Sequence, residues 1–309
     1  MLKVSISMIT YNHEKFIAEA IESIVSQEVD FAYELVIGED YSTDNTREII
    51  KEYIKKHPNK IRLIDRGKNV GSTKNFFDTI LQCKGEYIAM MDGDDLMLPG
   101  KLQKQVNFLD NHPECSMVAH TLLEFDDVTG KELRLVKPKV DKQYYDIIDL
   151  LKYSSIFGNS SKMFRKSSLP FNTSDQKIHF IADMYLTLLV TGDKKIGWIS
   201  DTLGKYRRHE GAMMKNIVNL KLYEDELYTL NAVTNYFGDK FQKYYNARLA
   251  YANMLMGIHA INDGKKSIAR SFLIKSINYK YNLAVSQYLY FVLSFFPIFL
   301  LKKSLKFLS

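Results

Sequence analysis

The fold is decided by the stretch Gly85-Glu-Tyr-Ile-Ala-Met-Met-Asp-Gly-Asp-Asp95, an apolar run that stops at three aspartates. Its apolar part, residues 87–91, is typical of a buried strand. Carboxylates crowded in this way repel each other unless a cation lies between them. Hard divalent cations such as Mg²⁺ and Mn²⁺ prefer carboxylate oxygens and bridge them to phosphates. Residues 92–95, the acidic turn, therefore indicate either a metal site or an acidic surface turn.

Upstream, apolar runs alternate with segments of helical periodicity. The predicted strands are residues 3–9, 33–38 and 61–64, and the predicted helices are residues 14–27, 45–56 and 74–83. This alternation predicts parallel βαβ units in a doubly wound sheet. Such sheets bind ligands at the carboxyl ends of their strands. Tyr11, Asp40 and the acidic turn all follow predicted strands, so the sequence predicts a site at this edge.

Beyond Pro99 the pattern changes. It predicts helices at 101–111, 145–152 and 178–191, a hairpin of strands 116–125 and 132–136, a strand at 195–199, a cationic loop at 205–211, and helices from residue 220 onward. We expect a catalytic domain at 1–212, with a nucleotide-binding half (1–98) and an acceptor half (99–212). A helical region (213–282) and an apolar, basic tail (283–309) follow.

The composition is that of an ordinary soluble protein. The chain has 309 residues, 46% hydrophobic and 25% charged, which suits one large domain or one domain with an appendage. Two cysteines, Cys83 and Cys115, cannot build a disulfide framework, and we expect both to be reduced in the interior. Residues 2–10 have no cationic leader or cleavage site, so we expect no secretory signal and a cytoplasmic location.

Three ordered segments, 5–12, 34–46 and 85–95, together resemble the family 2 glycosyltransferases with the GT-A fold. The resemblance covers roughly residues 1–211. It implies an α/β fold class, in which a Rossmann-like, mostly parallel sheet is flanked by helices. It also implies inverting transfer of a sugar from a nucleotide-sugar donor, usually a UDP-sugar. No Gln-x-x-Arg-Trp segment follows Asp183, and processive synthases of this fold carry one, so single addition is expected.

The resemblance also implies roles for individual residues. Thr10, Tyr11 and Asp40 are expected to line the nucleoside pocket. Asp92 and Asp94 match the DxD element that holds Mn²⁺ or Mg²⁺, and Asp94 is expected to be the direct ligand. Asp95 is expected to contact the donor sugar. Asp183 stands at the position of the catalytic base. Lys68, Lys74 and Asn75 match nucleotide contacts, and Arg207, Arg208 and His209 match a stretch that closes over the diphosphate.

Each of these roles has a plainer alternative. An aspartate on an apolar helix, such as Asp183, can be a capping or paired carboxylate. Residues 205–211 can be a solvated basic loop, and Lys68, Lys74 and Asn75 can belong to an exposed loop and helix face. Glu39 stands where many family members have aspartate, which favours Asp40 as the contact to the base.

The C-terminal segment predicts contact with an anionic surface. Residues 264–309 carry eight basic side chains and no acidic one, and residues 283–301 are nearly all apolar. The uninterrupted part, 288–301, is shorter than the ~20 residues of a spanning helix. We expect an interfacial anchor at the inner face of the membrane, or else a helix packed on the protein's own core. The basic residues alternate with aliphatic runs, which disfavours nucleic acid.

We therefore expect a metal-assisted glycosyltransferase that acts on a saccharide or lipid-linked saccharide acceptor in surface polysaccharide synthesis. Two alternatives stay open. A sugar-phosphate nucleotidyltransferase would carry a Gly-rich, basic loop after its first strand, and residues 10–13 are not such a loop. A non-catalytic sugar-nucleotide-binding module would tolerate the loss of Asp94 or Asp183.

Overall fold

The computed structural model describes residues 2–153, 156–170, 177–209, 219–279 and 291–292. The chain divides into two compact units, Met1–Lys215 and Asn216–Ser309. The first unit is a sheet covered by helices, and the second is helical in its described residues. Each unit has its own apolar core, so each is described by itself.

The first four strands of unit 1 form a parallel sheet in the order β3-β2-β1-β4. They are β1 (Val4–Thr10), β2 (Tyr33–Glu39), β3 (Ile61–Ile64) and β4 (Tyr87–Asp92), joined by α1 (Ile17–Val25), α2 (Thr46–Lys56) and α3 (Ser72–Gln82). The predicted βαβ alternation is thus confirmed. Parallel crossovers bring the carboxyl ends of all four strands to one edge.

The second half of the unit makes the sheet mixed. Its elements are β5 (Leu96–Met97), α4 (Lys101–Asn111), β6 (Cys115–Asp126), β7 (Glu132–Val136), β8 (Tyr144–Tyr145), α5 (Ile147–Tyr153), β9 (Met163–Arg165), α6 (Ala182–Thr191) and β10 (Lys195–Arg208). The short strand β9 lies antiparallel between β4 and β6, and β6 runs parallel to β10. The predicted hairpin at 116–136 is present as β6 and β7.

One sequence prediction is wrong here: residues 205–208 are not a loop but the end of β10. The cause is the length of β6, which spans 12 residues and continues to pair with β10 as far as Arg208 opposite Asp126. Register shifts between Ile199 and Gly204 break the alternation that would have revealed the strand. The cationic side chains are therefore held on a rigid element.

Gly85, just before β4, is a site where packing admits no side chain. A Cβ there would lie 2.4 Å from Ser5 N and 2.6 Å from Val4 C. Because these are backbone atoms, they cannot rotate away. We expect Gly85→Ala to lower the free energy of unfolding by about 2–3 kcal/mol, measured by urea denaturation. Gly67→Ala is the control: its Cβ meets nothing within 4 Å, so a change within about 0.5 kcal/mol is expected. Equal stabilities of the two variants would contradict this packing.

Unit 2 contains α7 (Asn219–Phe237), α8 (Gln242–Asn262) and α9 (Lys266–Asn278). Gly257 lets α8 approach α9, since a Cβ there would lie 2.6 Å from Leu273 Cγ, and Ser276 Oγ donates to Ala250 O at 2.6 Å. Among the described residues, no helix is both long and apolar enough to cross a membrane. Apart from residues 291–292, the predicted tail at 283–309 lies outside the described residues.

Candidate active site

The acidic turn lies against the end of β1. Asp92 is the last residue of β4 and pairs in register with Ile9, and Gly93 N donates to Ile9 O at 2.9 Å. A Cβ on Gly93 would lie 2.7 Å from Thr10 Cβ, so only glycine lets the turn pack this closely. The local sequence thus places the carboxylates beside Thr10 and the loop that follows it.

Asp95 is a buried, hydrogen-bonded carboxylate. It is fully buried, and its carboxylate accepts hydrogen bonds from Ser160 Oγ at 2.5 Å and from Arg207 N at 3.0 Å. Burial and the Asp94 charge raise the pKa of Asp95 well above its usual value. Asp95 therefore fastens the turn to its neighbours and does not face solvent.

Arg207 also holds the acidic turn in place. Its guanidinium is buried and donates to Asp94 O at 2.7 Å. It also forms ion pairs of 2.6 Å with Asp127, in the turn between β6 and β7, and with Glu19 on α1. Sequence reasoning placed this cation near a diphosphate, whereas the structure gives it scaffold partners. Arg208 pairs with the buried Glu124 of β6.

Asp94 presents its carboxylate to two histidines. His209 Nε2 lies 2.9 Å and His13 Nε2 lies 3.9 Å from Asp94 Oδ2. Ligand atoms of these three residues all lie within 4.8 Å of one another. Burial lowers the pKa of His13, which favours the neutral imidazole that binds metals. For Asp94, burial acts to raise the pKa, but the hydrogen bond to His209 and the charges of both histidines lower it.

Asp92 borders this group. Its Oδ1 accepts a hydrogen bond from Asn159 Nδ2 at 2.8 Å, and its backbone N donates to Ser160 Oγ at 3.1 Å. Burial, together with the Asp94 charge, raises the pKa of Asp92 to about 7. The same low-dielectric region holds Lys101, which is fully buried, donates to Ser160 O at 2.6 Å and has its pKa lowered by burial to about 7.

Asp183 lies in the first turn of α6 with its side chain 29% exposed. The ammonium of Lys162 lies 3.1 Å from Asp183 Oδ2. Sequence reasoning assigned no role to Lys162. The available signal was the position of this lysine, which directly follows the polar run Gly158-Asn-Ser-Ser161. A lysine that the fold buries needs an anionic partner.

The residues predicted to bind the nucleoside lie in the loops that follow β1 (residues 11–13) and β2 (residues 40–43), which we call the nucleoside loops. Asp40 Oδ1 accepts from Val70 N at 2.7 Å and Oδ2 from Gly71 N at 2.9 Å, and burial raises the pKa of this carboxyl. Asn12 and Tyr41 have φ values of 54° and 61°, in the left-handed region. Strained backbone of this kind concentrates at functional sites. It accompanies two exposed rings, those of Tyr11 and Tyr41.

The predicted nucleotide contacts on α3 have partners within the protein. Asn75 is buried, donates to Gly38 O at 2.7 Å and accepts from Arg66 Nε at 3.1 Å. Lys74 pairs with Asp78 at 3.0 Å. Arg66 Nη2 is buried and has no hydrogen-bond partner in the described part of the chain. Sequence reasoning missed Arg66, although an arginine two residues after the end of β3 was visible.

This geometry can be compared with known proteins. The family model for glycosyl transferase family 2 matches residues 5–169, a span that contains the acidic turn and the nucleoside loops. The chain belongs to glycosyl transferase family 2. The chain is 32% identical over 211 residues to an uncharacterized protein of Mycobacterium tuberculosis, with 67% of this chain and 59% of the relative covered.

One further relative and one solved structure have names that refer to cell-wall polymer synthesis or to a bound sugar nucleotide. The minor teichoic acid biosynthesis protein GgaB of Bacillus subtilis is 29% identical over 236 residues, which cover 74% of the chain and 26% of GgaB. Residues 1–349 of Staphylococcus aureus TarS, solved in complex with UDP-GlcNAc, align with a TM-score of 0.62 at 19% identity, covering 90% of each chain. The expected GT-A fold is confirmed. The chain spans 59% of the M. tuberculosis relative and 26% of GgaB, which is less than two thirds of each.

Proposed function

We propose that the chain is an inverting glycosyltransferase that moves one sugar from a UDP-sugar to a saccharide or lipid-linked saccharide in surface polysaccharide assembly. The observation that carries the proposal is the convergence of the group His13, Asp94 and His209 with the nucleoside loops at one edge of the sheet. The UDP-GlcNAc bound to TarS and the teichoic acid role in GgaB's name support the donor and acceptor classes.

Asp94, His13 and His209 would hold the metal, with Asp92 supplying a second carboxylate beside them. The donor set fits a divalent ion, because one carboxylate oxygen and two imidazole nitrogens lie within 4.8 Å of one another. Two imidazoles suit Mn²⁺ better than Mg²⁺, which prefers oxygen ligands throughout. A divalent ion in this place supplies positive charge next to the departing diphosphate.

The protein's own groups bind and orient the substrates. Thr10, Tyr11 and Asp40 hold the nucleoside, the exposed Tyr11 ring providing a stacking surface for the base. Asp95 acts by holding the acidic turn under the donor sugar. Asp183 accepts the proton of the acceptor hydroxyl, which makes the oxygen nucleophilic as it attacks the anomeric carbon.

The remaining predicted contacts act around this centre. Asn75 holds Arg66, and we assign the unpartnered Nη2 of Arg66 to the donor nucleotide. Lys74 and Arg208 retain their ion pairs with Asp78 and Glu124 and add positive potential near the diphosphate. We place the enzyme in the cytoplasm at the inner membrane face, held there by residues 283–309, so that it meets a lipid-linked acceptor.

The test is turnover of a UDP-sugar panel by the purified chain with Mn²⁺, with and without saccharide acceptors. We expect UDP release from one donor and at least a tenfold loss of rate after chelation, restored by Mn²⁺. In a parallel assay with UTP and sugar 1-phosphates, release of pyrophosphate would identify a nucleotidyltransferase instead. Donor binding without turnover, even with acceptors, would identify a binding module. Turnover that chelation leaves unchanged would remove the metal from the proposal.

A further inference from the structure

Lys162 is a buried cation in the wall of the site. Its side chain is 4% exposed, and its ammonium lies 3.1 Å from Asp183 Oδ2. The Asp183 carboxylate has no second hydrogen-bond partner among the described residues. A buried ammonium is costly unless a charged partner compensates it. Lysine at this position therefore needs a reason beyond filling space.

The stem of Lys162 lies among apolar groups. It lines a small cavity together with Phe157, Met184 and Leu188. These contacts fix the methylene chain, so the ammonium has little freedom to leave Asp183. Leucine or methionine would fill this space at lower cost, because neither carries a charge into the interior.

The backbone of Lys162 is tied to the strand that carries the acidic turn. Met90 N, two residues before Asp92, donates to Lys162 O at 2.9 Å. Asn159, three residues before Lys162, donates to the Asp92 carboxylate at 2.8 Å. One short segment therefore connects the donor side of the site to the carboxylate on α6. A shift of this segment would move both.

Building on the proposed function, we propose that Lys162 is the positioning residue of the base: it holds Asp183 Oδ2, so that Oδ1 is directed at the acceptor hydroxyl. In the step it serves, the acceptor oxygen bonds to the anomeric carbon and its proton moves to Oδ1. The bond from the anomeric carbon to the diphosphate oxygen breaks, and its electron pair leaves with the nucleoside diphosphate. Lys162 exchanges no proton and contacts no substrate.

The experiment compares Lys162→Met, Lys162→Arg and the control Lys166→Met, whose lysine is exposed on the same segment. For Lys162→Met we expect kcat to fall about thirtyfold, with the KM for the UDP-sugar within about twofold of wild type. Lys162→Arg should recover part of kcat, and Lys166→Met should behave as wild type.

A double-mutant cycle separates positioning from folding. If Lys162 acts through Asp183, Lys162→Met should have no further effect on kcat in an Asp183→Asn background. An equal loss in both backgrounds would overturn the inference and leave a structural lysine. If wild type turned over no UDP-sugar with Mn²⁺, the proposed function would fall and this inference with it. Wild-type turnover with Lys162→Met undiminished would overturn the inference alone.

Discussion

Replacing Asp94 with asparagine should lower kcat/KM by about a thousandfold and abolish the response to added Mn²⁺. The reason is that the three aspartates of the acidic turn have different partners. Asp94 is the one whose carboxylate shares a group with His13 and His209, within 4.8 Å. An amide keeps the shape of the turn but loses the charge that holds a divalent ion. The measurement is UDP release as a function of Mn²⁺ concentration.

Two variants sharpen this prediction. Asp95→Asn removes a fully buried carboxylate that bridges Ser160 and Arg207, so it should lower the melting temperature as well as activity. Asp141→Asn changes an exposed aspartate and should leave both unchanged. Asp94→Asn with an intact Mn²⁺ response would refute the assignment of Asp94 as the ligand.

Asp183→Asn should lower kcat by about a thousandfold while the dissociation constant for the UDP-sugar stays within about twofold of wild type. The amide cannot accept the acceptor's proton, whereas the predicted donor contacts lie outside α6, at the ends of β1, β2 and β10, on α3 and in the acidic turn. Turnover and isothermal titration on the same preparation measure the two quantities.

The matched control is Asp146→Asn, which removes another carboxylate at the start of a helix. Asp146 Oδ1 accepts from Ile148 N at 2.9 Å at the beginning of α5, so its loss tests the helix-capping alternative for Asp183. If Asp183 only capped α6, both variants would lose a little stability and keep kcat. Weaker donor binding by Asp183→Asn would place the residue on the donor side.

The parallel half of the sheet could be predicted because each βαβ unit carries its own signal. Strand β4 reads as an apolar run that ends at Asp92, and the helix before it keeps helical spacing. The antiparallel half gives no such signal. Strand β9 has three residues and owes its existence to two long-range neighbours, β4 and β6. Local periodicity cannot report a pairing made so far along the chain.

The candidate site, like the sheet, could be predicted from the sequence only in part. The carboxylates at strand ends were visible because polar residues interrupt apolar runs. The partners that decide their chemistry come from distant segments: His13 and His209 meet at Asp94, and Lys162 meets Asp183, only after folding. Arg207 reads as one more surface cation, yet its ion pairs with Glu19 and Asp127 span most of unit 1. Charge in a sequence does not reveal which charges will be buried.

The position of β9 has a consequence for how such enzymes diversify. On the proposed function, the nucleoside contacts lie at the ends of β1 and β2, whereas Asp183 stands on a helix after β9, which pairs with β4 over only three residues. We therefore expect substitutions around α6 to change acceptor binding more than nucleoside binding. Relatives that keep the ends of β1 and β2 but differ in α6 are then expected to share a donor and to differ in acceptor.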